Sequence, residues 1–112
     1  MYSSELIKGT LKTIILNLLA EAGEMYGYEI SKKVEELTQG KIQITEGAMY
    51  PILHKMEADG LVFTREMNIG KRIRKYYAVT PFGKKESVDK TSELLDFIGT
   101  IEFLLKPKTG LA

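Results

Sequence analysis

The 112-residue sequence has no cysteine, no tryptophan, a single histidine and only three prolines. Without cysteine there can be no disulfide, no thiolate nucleophile and no sulfur-ligated metal. The one histidine, His54, falls short of the three or four ligands a usual zinc site takes, so neither metal nor cofactor is expected. No apolar run approaches the roughly 18 residues needed to span a bilayer. The stretch 14–20 is broken by Asn17 and lacks a basic flank and a cleavage signal, so a cytoplasmic protein with no membrane partner is expected. No glycine-rich phosphate loop, nucleophile–base pair or carboxylate pair with an evident site is present, and the expectation is that the chain is not an enzyme.

What is present points to a folded domain. Apolar residues make up 44% and charged residues 28% of the chain, which favours a globular protein over a disordered one. A chain of this length suggests one compact unit with a modest core, so self-association is a natural way to hide more apolar surface. The net charge is only +1, but it is unevenly spread. Between positions 65 and 75, Arg65, Lys71, Arg72, Arg74 and Lys75 face a single Glu66, a local net of +4 that leaves −3 for the rest. Such concentration attracts polyanions locally.

Leu6, Ile7, Leu11, Ile14, Ile15, Leu18 and Leu19 recur at helical spacing, with Gly9 either interior or preceding a Thr10 cap and Gly23 as the stop. A second helix follows, with Ile30, Val34 and Leu37 on one face and Gly40 at its end. Residues 41–44, "KIQI", alternate polar and apolar and read as a very short strand. Thr45 is placed to cap a third helix over 45–59, whose Met49, Ile52, Leu53 and Met56 share one face. "LVFTREMN" and "RIRKYYAV" are strand-like runs joined through Ile69, Gly70 and Lys71 as a hairpin. Thr80 and Pro81 suit the opening of a final helix that Pro107 ends.

This order predicts a mostly α protein with a small β-hairpin, in the α+β class. The second and third helices form a helix-turn-helix and the basic hairpin its wing. With the apolar side of 45–59 inward, the outward side carries Gly47, Ala48, Tyr50, Pro51, His54, Lys55 and Ala58. Small residues let a backbone approach a large body, and Tyr50, His54 and Lys55 add donors, which suits a DNA major groove. Pro51 lies on this outward side and either bends or tightens the first turns, aiming Tyr50 at the duplex, or lies only one turn into a helix that begins later than Thr45, near Gly47. Tyr26, Tyr28, Tyr76 and Tyr77 read as packing residues rather than stacking platforms.

The final helix carries Thr91, Leu94, Ile98, Ile101 and Leu105 in steps of three and four, widened by Leu95, Phe97 and Leu104. One partner helix leaves much of this stripe uncovered. A homodimer paired through the first and last helices would cover it, with Leu11, Ile14, Leu94, Ile98, Ile101 and Leu105 at the seam.

Three segments, "GTLKTIILNLLAEAGEMYGYEISKKVEE", "GAMYPILHKMEADGLV" and "RKYYAVTPFGKK", resemble consecutive signatures of the PadR family of transcriptional regulators. The likeness spans roughly residues 9–85. It includes a Tyr-Gly-Tyr-Glu segment on the second helix, a Gly-x-x-Tyr-Pro segment on the third and an Arg-Lys-Tyr-Tyr strand after the wing. The resemblance implies a short-form, winged helix-turn-helix repressor that binds double-stranded DNA as a dimer, paired by its C-terminal helix. It also implies that Thr45, Tyr50 and the basic wing face DNA. The tip "NIGKRIRK" departs from the family pattern, which often has more glycines and a proline or arginine where Ile73 stands. Some short members bind flat aromatic compounds with a tryptophan that this chain lacks, and no small-molecule effector can be named from the sequence.

The expectation is thus a DNA-binding unit over residues 1–80 and a C-terminal dimerisation helix over 81–106. Thr45, Gly47, Ala48, Tyr50, His54, Lys55, Arg65, Lys71, Arg72 and Arg74 are the candidate DNA contacts, reading an inverted-repeat operator. Lys75 is a weaker member because strand alternation turns it away. The rival reading is a winged-helix module that uses its wing on acidic protein partners, without specific DNA binding.

Overall fold

The computed structural model describes residues 2–107; Met1, counted in the expected DNA-binding unit, lies outside them. The first apolar pattern forms two helices, α1 (Ser4–Ile7) and α2 (Leu11–Ala22). The break falls at Gly9-Thr10, where both the backbone N–H and the hydroxyl of Thr10 donate to the Ile7 carbonyl at 2.8 Å. Gly23, at φ +93°, ends α2 and donates to the Leu19 carbonyl at 2.9 Å.

A short strand, β1 (Glu24–Tyr26), leads directly into α3 (Gly27–Leu37). The Glu29 carboxylate accepts from the Tyr26 N–H at 3.1 Å, which satisfies one of the free donors at that helix start. The expected strand over 41–44 is absent. These residues form an irregular connection, with Ile44 buried and Ile42 half-buried against the core. Thr38 holds the turn, its Oγ1 accepting from the Ile42 N–H at 3.1 Å. Alternation over four residues makes a strand only where a neighbouring strand offers a ladder, and here the pairing strand is β1. Leu37, expected on the inner face, is 65% exposed at the helix end.

Then come α4 (Glu46–Ala58), β2 (Val62–Ile69), β3 (Arg72–Val79) and α5 (Pro81–Leu105). The sheet is antiparallel in the order β1-β3-β2, with Met25 and Thr64 both opposite Tyr77. The β2–β3 turn is Gly70-Lys71, with Gly70 at φ +61°. This is the glycine-first pattern of a two-residue hairpin turn.

The core lies between the helices and one face of the sheet. Ile15, Leu16 and Leu19 of α2, Ile30 of α3, and Leu53 and Met56 of α4 are fully buried, and Tyr77 closes the sheet side. Thr80 caps α5, accepting from the Gly83 N–H at 2.9 Å. A Cβ on Gly83 would collide with the Leu61 carbonyl, so this glycine allows α5 to start directly against the α4–β2 turn.

The first half of α5 packs on α2, where Asn17 Nδ2 reaches Thr91 Oγ1 at 3.3 Å. From residue 92 to 107 every position except half-buried Leu94 is exposed. The molecule accordingly measures 66 × 29 × 20 Å, with a radius of gyration of 16.5 Å, against about 13 Å for a compact domain of roughly 100 residues. This is a winged helix-turn-helix with an additional long C-terminal helix.

Candidate nucleic-acid interface

Thr45 is the N-cap of α4, its side chain accepting from the Ala48 N–H at 3.2 Å. Such a cap is worth about 1 kcal/mol to a helix. The helix therefore starts at Glu46, and Pro51 lies more than one turn inside it, on the exposed side. Pro51 has no N–H for the Gly47 carbonyl four residues back, so that i→i−4 bond is missing. Gly47 itself is exposed, has an ordinary φ and would meet nothing within 4 Å if given a Cβ. No packing among the described residues requires a glycine there.

The outward face of α4 is less uniform than its spacing implied. Gly47, Pro51, His54, Lys55 and Ala58 are exposed, whereas Ala48 and Tyr50 are half-buried against the core. The Tyr50 hydroxyl lies directly over Gly27, where a Cβ would strike it. Tyr50 thus joins α4 to the start of α3, and its ring lies 6.4 Å from that of His54. Lys55 Nζ pairs with Asp59 at 3.2 Å on an exposed turn, a contact of small energetic weight.

The two faces of the hairpin have separate roles. Lys75 is on the α4 side, its Nζ 3.8 Å from Glu57 and 5.6 Å from the Tyr77 ring centroid. Glu57 also accepts from Thr64 at 3.1 Å, so one α4 carboxylate ties both strands of the wing. Burial pushes the Tyr77 phenol up, with Tyr50 and Glu57 adding to the effect.

The opposite face carries Arg65, Arg74 and Tyr76 together with Glu24 and Tyr26 of β1. Arg65, expected to meet DNA, is ion-paired with Glu24 and lies 5.0 Å over the Tyr76 ring. The hydrogen bond from Arg65 holds the Glu24 carboxyl below its ordinary value. Arg74 lies 4.0 Å over the Tyr26 ring. Its proton affinity is raised, chiefly through the Tyr76 side chain, with Tyr26 and Glu29 contributing. Lys71 and Arg72 are exposed at the tip.

A groove of about 680 Å³ runs between α4 and the wing. Tyr50 and His54 line one side, Arg72, Arg74 and Lys75 the other, and Tyr26, Gly27 and Tyr28 one end. Tyr28 is 61% exposed there, so of the tyrosines expected to pack only Tyr77 is fully internal. The strand that carries Tyr26 into this groove is three residues long, too short to show alternation. Only the neighbouring glutamate and glycines hinted at its ends.

The expected seam residues divide. Leu11 is buried inside the chain and Ile14 packs against the same core, because α2 uses that face for its own fold. Leu11 is therefore not available at a surface. Leu94 is half-buried, and Ile98, Ile101 and Leu105 are exposed on α5.

Among the described residues, no group of three or more His, Cys, Asp or Glu is arranged to hold a metal ion. No helix among the described residues is long and apolar enough to cross a membrane.

Comparison with known proteins bears on the same elements. The family model described as "Transcriptional regulator PadR-like family" matches residues 15–88, which span α2 to the first turns of α5. A transcriptional regulator from Clostridium thermocellum superposes with a TM-score of 0.84 at 34% identity, covering 95% of this chain and 100% of that one. A PadR family transcriptional regulator from Eggerthella lenta gives 0.76 at 29% identity, covering 93% and 85%. The transcriptional regulator YqjI of Escherichia coli is 36% identical over 64 residues, 57% of this chain and 30% of that protein. With the family model matched over residues 15–88 of a helix-turn-helix, a basic wing and the start of a long final helix, the chain belongs to the PadR-like family of transcriptional regulators.

Proposed function

We propose that this regulator is a cytoplasmic repressor that binds an inverted-repeat operator as a symmetric homodimer and acts by occupying promoter DNA. The observation that carries this reading is the groove shared by α4 and the wing. It is bounded by exposed His54 and half-buried Tyr50 on one side and by the residues of β3 that carry the Arg72 and Arg74 cations on the other.

The first turns of α4 enter the major groove in this reading, with Thr45, Gly47 and Ala48 nearest the bases. Gly47 supports it: a glycine costs up to about 0.8–1 kcal/mol relative to alanine inside a helix, and open space surrounds this one, which leaves room for close approach of an external body. His54 and Lys55 meet the flanking backbone. Lys71, Arg72 and Arg74 hold phosphates or probe the adjacent minor groove. Arg65 contributes less, because Glu24 already neutralises it. Residues 81–106 serve as the pairing unit and residues 1–80 as the DNA-binding unit. The exposed Ile98, Ile101 and Leu105 supply the seam, with α1 and α2 flanking it.

Salt titration of binding to a labelled duplex tests the reading. Each phosphate contact adds about 0.9 to the slope of log affinity against log salt. Several contacts per protomer predict a steep loss between low and moderate salt, together with a preference for one sequence over scrambled DNA. A flat profile would favour a protein-interaction module instead.

A further inference from the structure

The geometry points to Tyr26 as a positioning residue for DNA binding: its ring holds the Arg74 guanidinium ready for a backbone phosphate. This inference rests on the DNA-binding reading above. Tyr26 and Tyr76 are register partners on β1 and β3, and Arg74 lies two residues before Tyr76 on the same face. The Arg74 guanidinium carbon is 4.0 Å from the Tyr26 ring centroid, well within the roughly 6 Å over which a cation is drawn to a π face.

The ring is itself fixed. It meets Tyr76 edge-on at 5.6 Å and 75°, and Tyr28 lies stacked 6.4 Å away at 19°. The Tyr26 backbone is held by the Glu29 carboxylate. An arginine on such a platform has lost much of its rotamer freedom before DNA arrives, so less is lost on binding.

The contrast with Arg65 on the same face is direct. Arg65 is neutralised by Glu24, whereas among the described residues no carboxylate is within ion-pair distance of Arg74. Glu29 acts on Arg74 only from beyond that distance, so the charge of Arg74 is less compensated than that of Arg65 and open to an external anion. Arg74 is among the residues bordering the groove, with Arg72, His54 and Tyr28.

A double-mutant cycle tests this on the full chain. The probe is a mixed-sequence duplex of about 30 base pairs, long enough for two half-sites one helical turn apart. Tyr26→Leu is expected to weaken binding about two- to fivefold for each wing engaged. Arg74→Ala is expected to lower the salt slope by about 0.9 for each lost phosphate contact. In the Arg74→Ala background, Tyr26→Leu should then cost nothing further. An equal loss in both backgrounds overturns the proposal, because Tyr26 would be acting through something other than Arg74.

Tyr26→Phe keeps the π face and should bind within about twofold of the parent. A loss as large as that of Arg74→Ala overturns the proposal by itself, whether or not Tyr26→Leu folds. Absence of salt-dependent binding by the parent chain would overturn the DNA reading and this inference with it, an outcome distinct from an additive cycle.

Discussion

Gly47 and Glu24 illustrate how single positions divide between stability and binding. Gly47 is helical and has open space around it, so Gly47→Ala should stabilise the free protein by about 0.5–1 kcal/mol. The same methyl would stand between α4 and the duplex. Affinity should fall about tenfold, equivalent to roughly 1.4 kcal/mol. Thermal unfolding and anisotropy titration of one preparation check the two signs together. A variant that is less stable would show that Gly47 accommodates Pro51 rather than DNA. Glu24 makes the complementary case. Its carboxyl is held low, first by the hydrogen bond from Arg65, so it binds a proton less readily folded than unfolded. The ion pair therefore adds stability above the unfolded value of about 4.3 and loses it as pH falls through the lower folded value. In Glu24→Gln the acid side of the stability profile should be shallower, with the difference from the parent vanishing in strong acid. Denaturant melts across the acid range test this, and parallel profiles would contradict it.

At the scale of elements, α5 presents the largest imbalance. Leu95, Phe97, Ile98, Leu104 and Leu105 are each more than half exposed on a helix that leaves the body after Thr91. Placing Asp at both Ile98 and Ile101 puts charge in the middle of that stripe and should yield monomers at micromolar concentration with the N-terminal core intact. Sedimentation reads the mass and circular dichroism the fold; an unchanged dimer would refute the seam. The stripe was readable in the sequence because a 25-residue helix repeats its pattern many times. Thr45, Asp59-Gly60 and Thr80-Pro81 were equally readable, since caps act through neighbours in sequence. Lys41–Ile44 and Glu24–Tyr26 were not. Each is a few residues long, and its state depends on whether β3 lies alongside, which no local pattern records. The basic segment was visible as charge, but not its partition into Lys75 on the α4 side and Arg74 on the other. Nor could spacing show that Glu24, 41 residues away, would take Arg65, or that Leu11 would turn into the core.

On the scale of the whole molecule, a net charge of +1 gives little general attraction to DNA, so binding relies on where the cations sit. One protomer offers a single α4 and a single wing, too few phosphate contacts for tight binding at physiological salt. Two protomers joined through α5, as proposed, would double that surface and impose two-fold symmetry on the site they could read. No described residue of α5 lines the groove beside α4, so pairing through α5 would leave that groove uncovered by the helix itself. Hydroxyl-radical footprinting on genomic fragments selected by the purified protein tests this most directly. A symmetric dimer should protect two half-sites on one face of the duplex, related by an inverted repeat and centred about one helical turn or a whole number of turns apart. A single unpaired patch, or protection with no sequence symmetry, would contradict it.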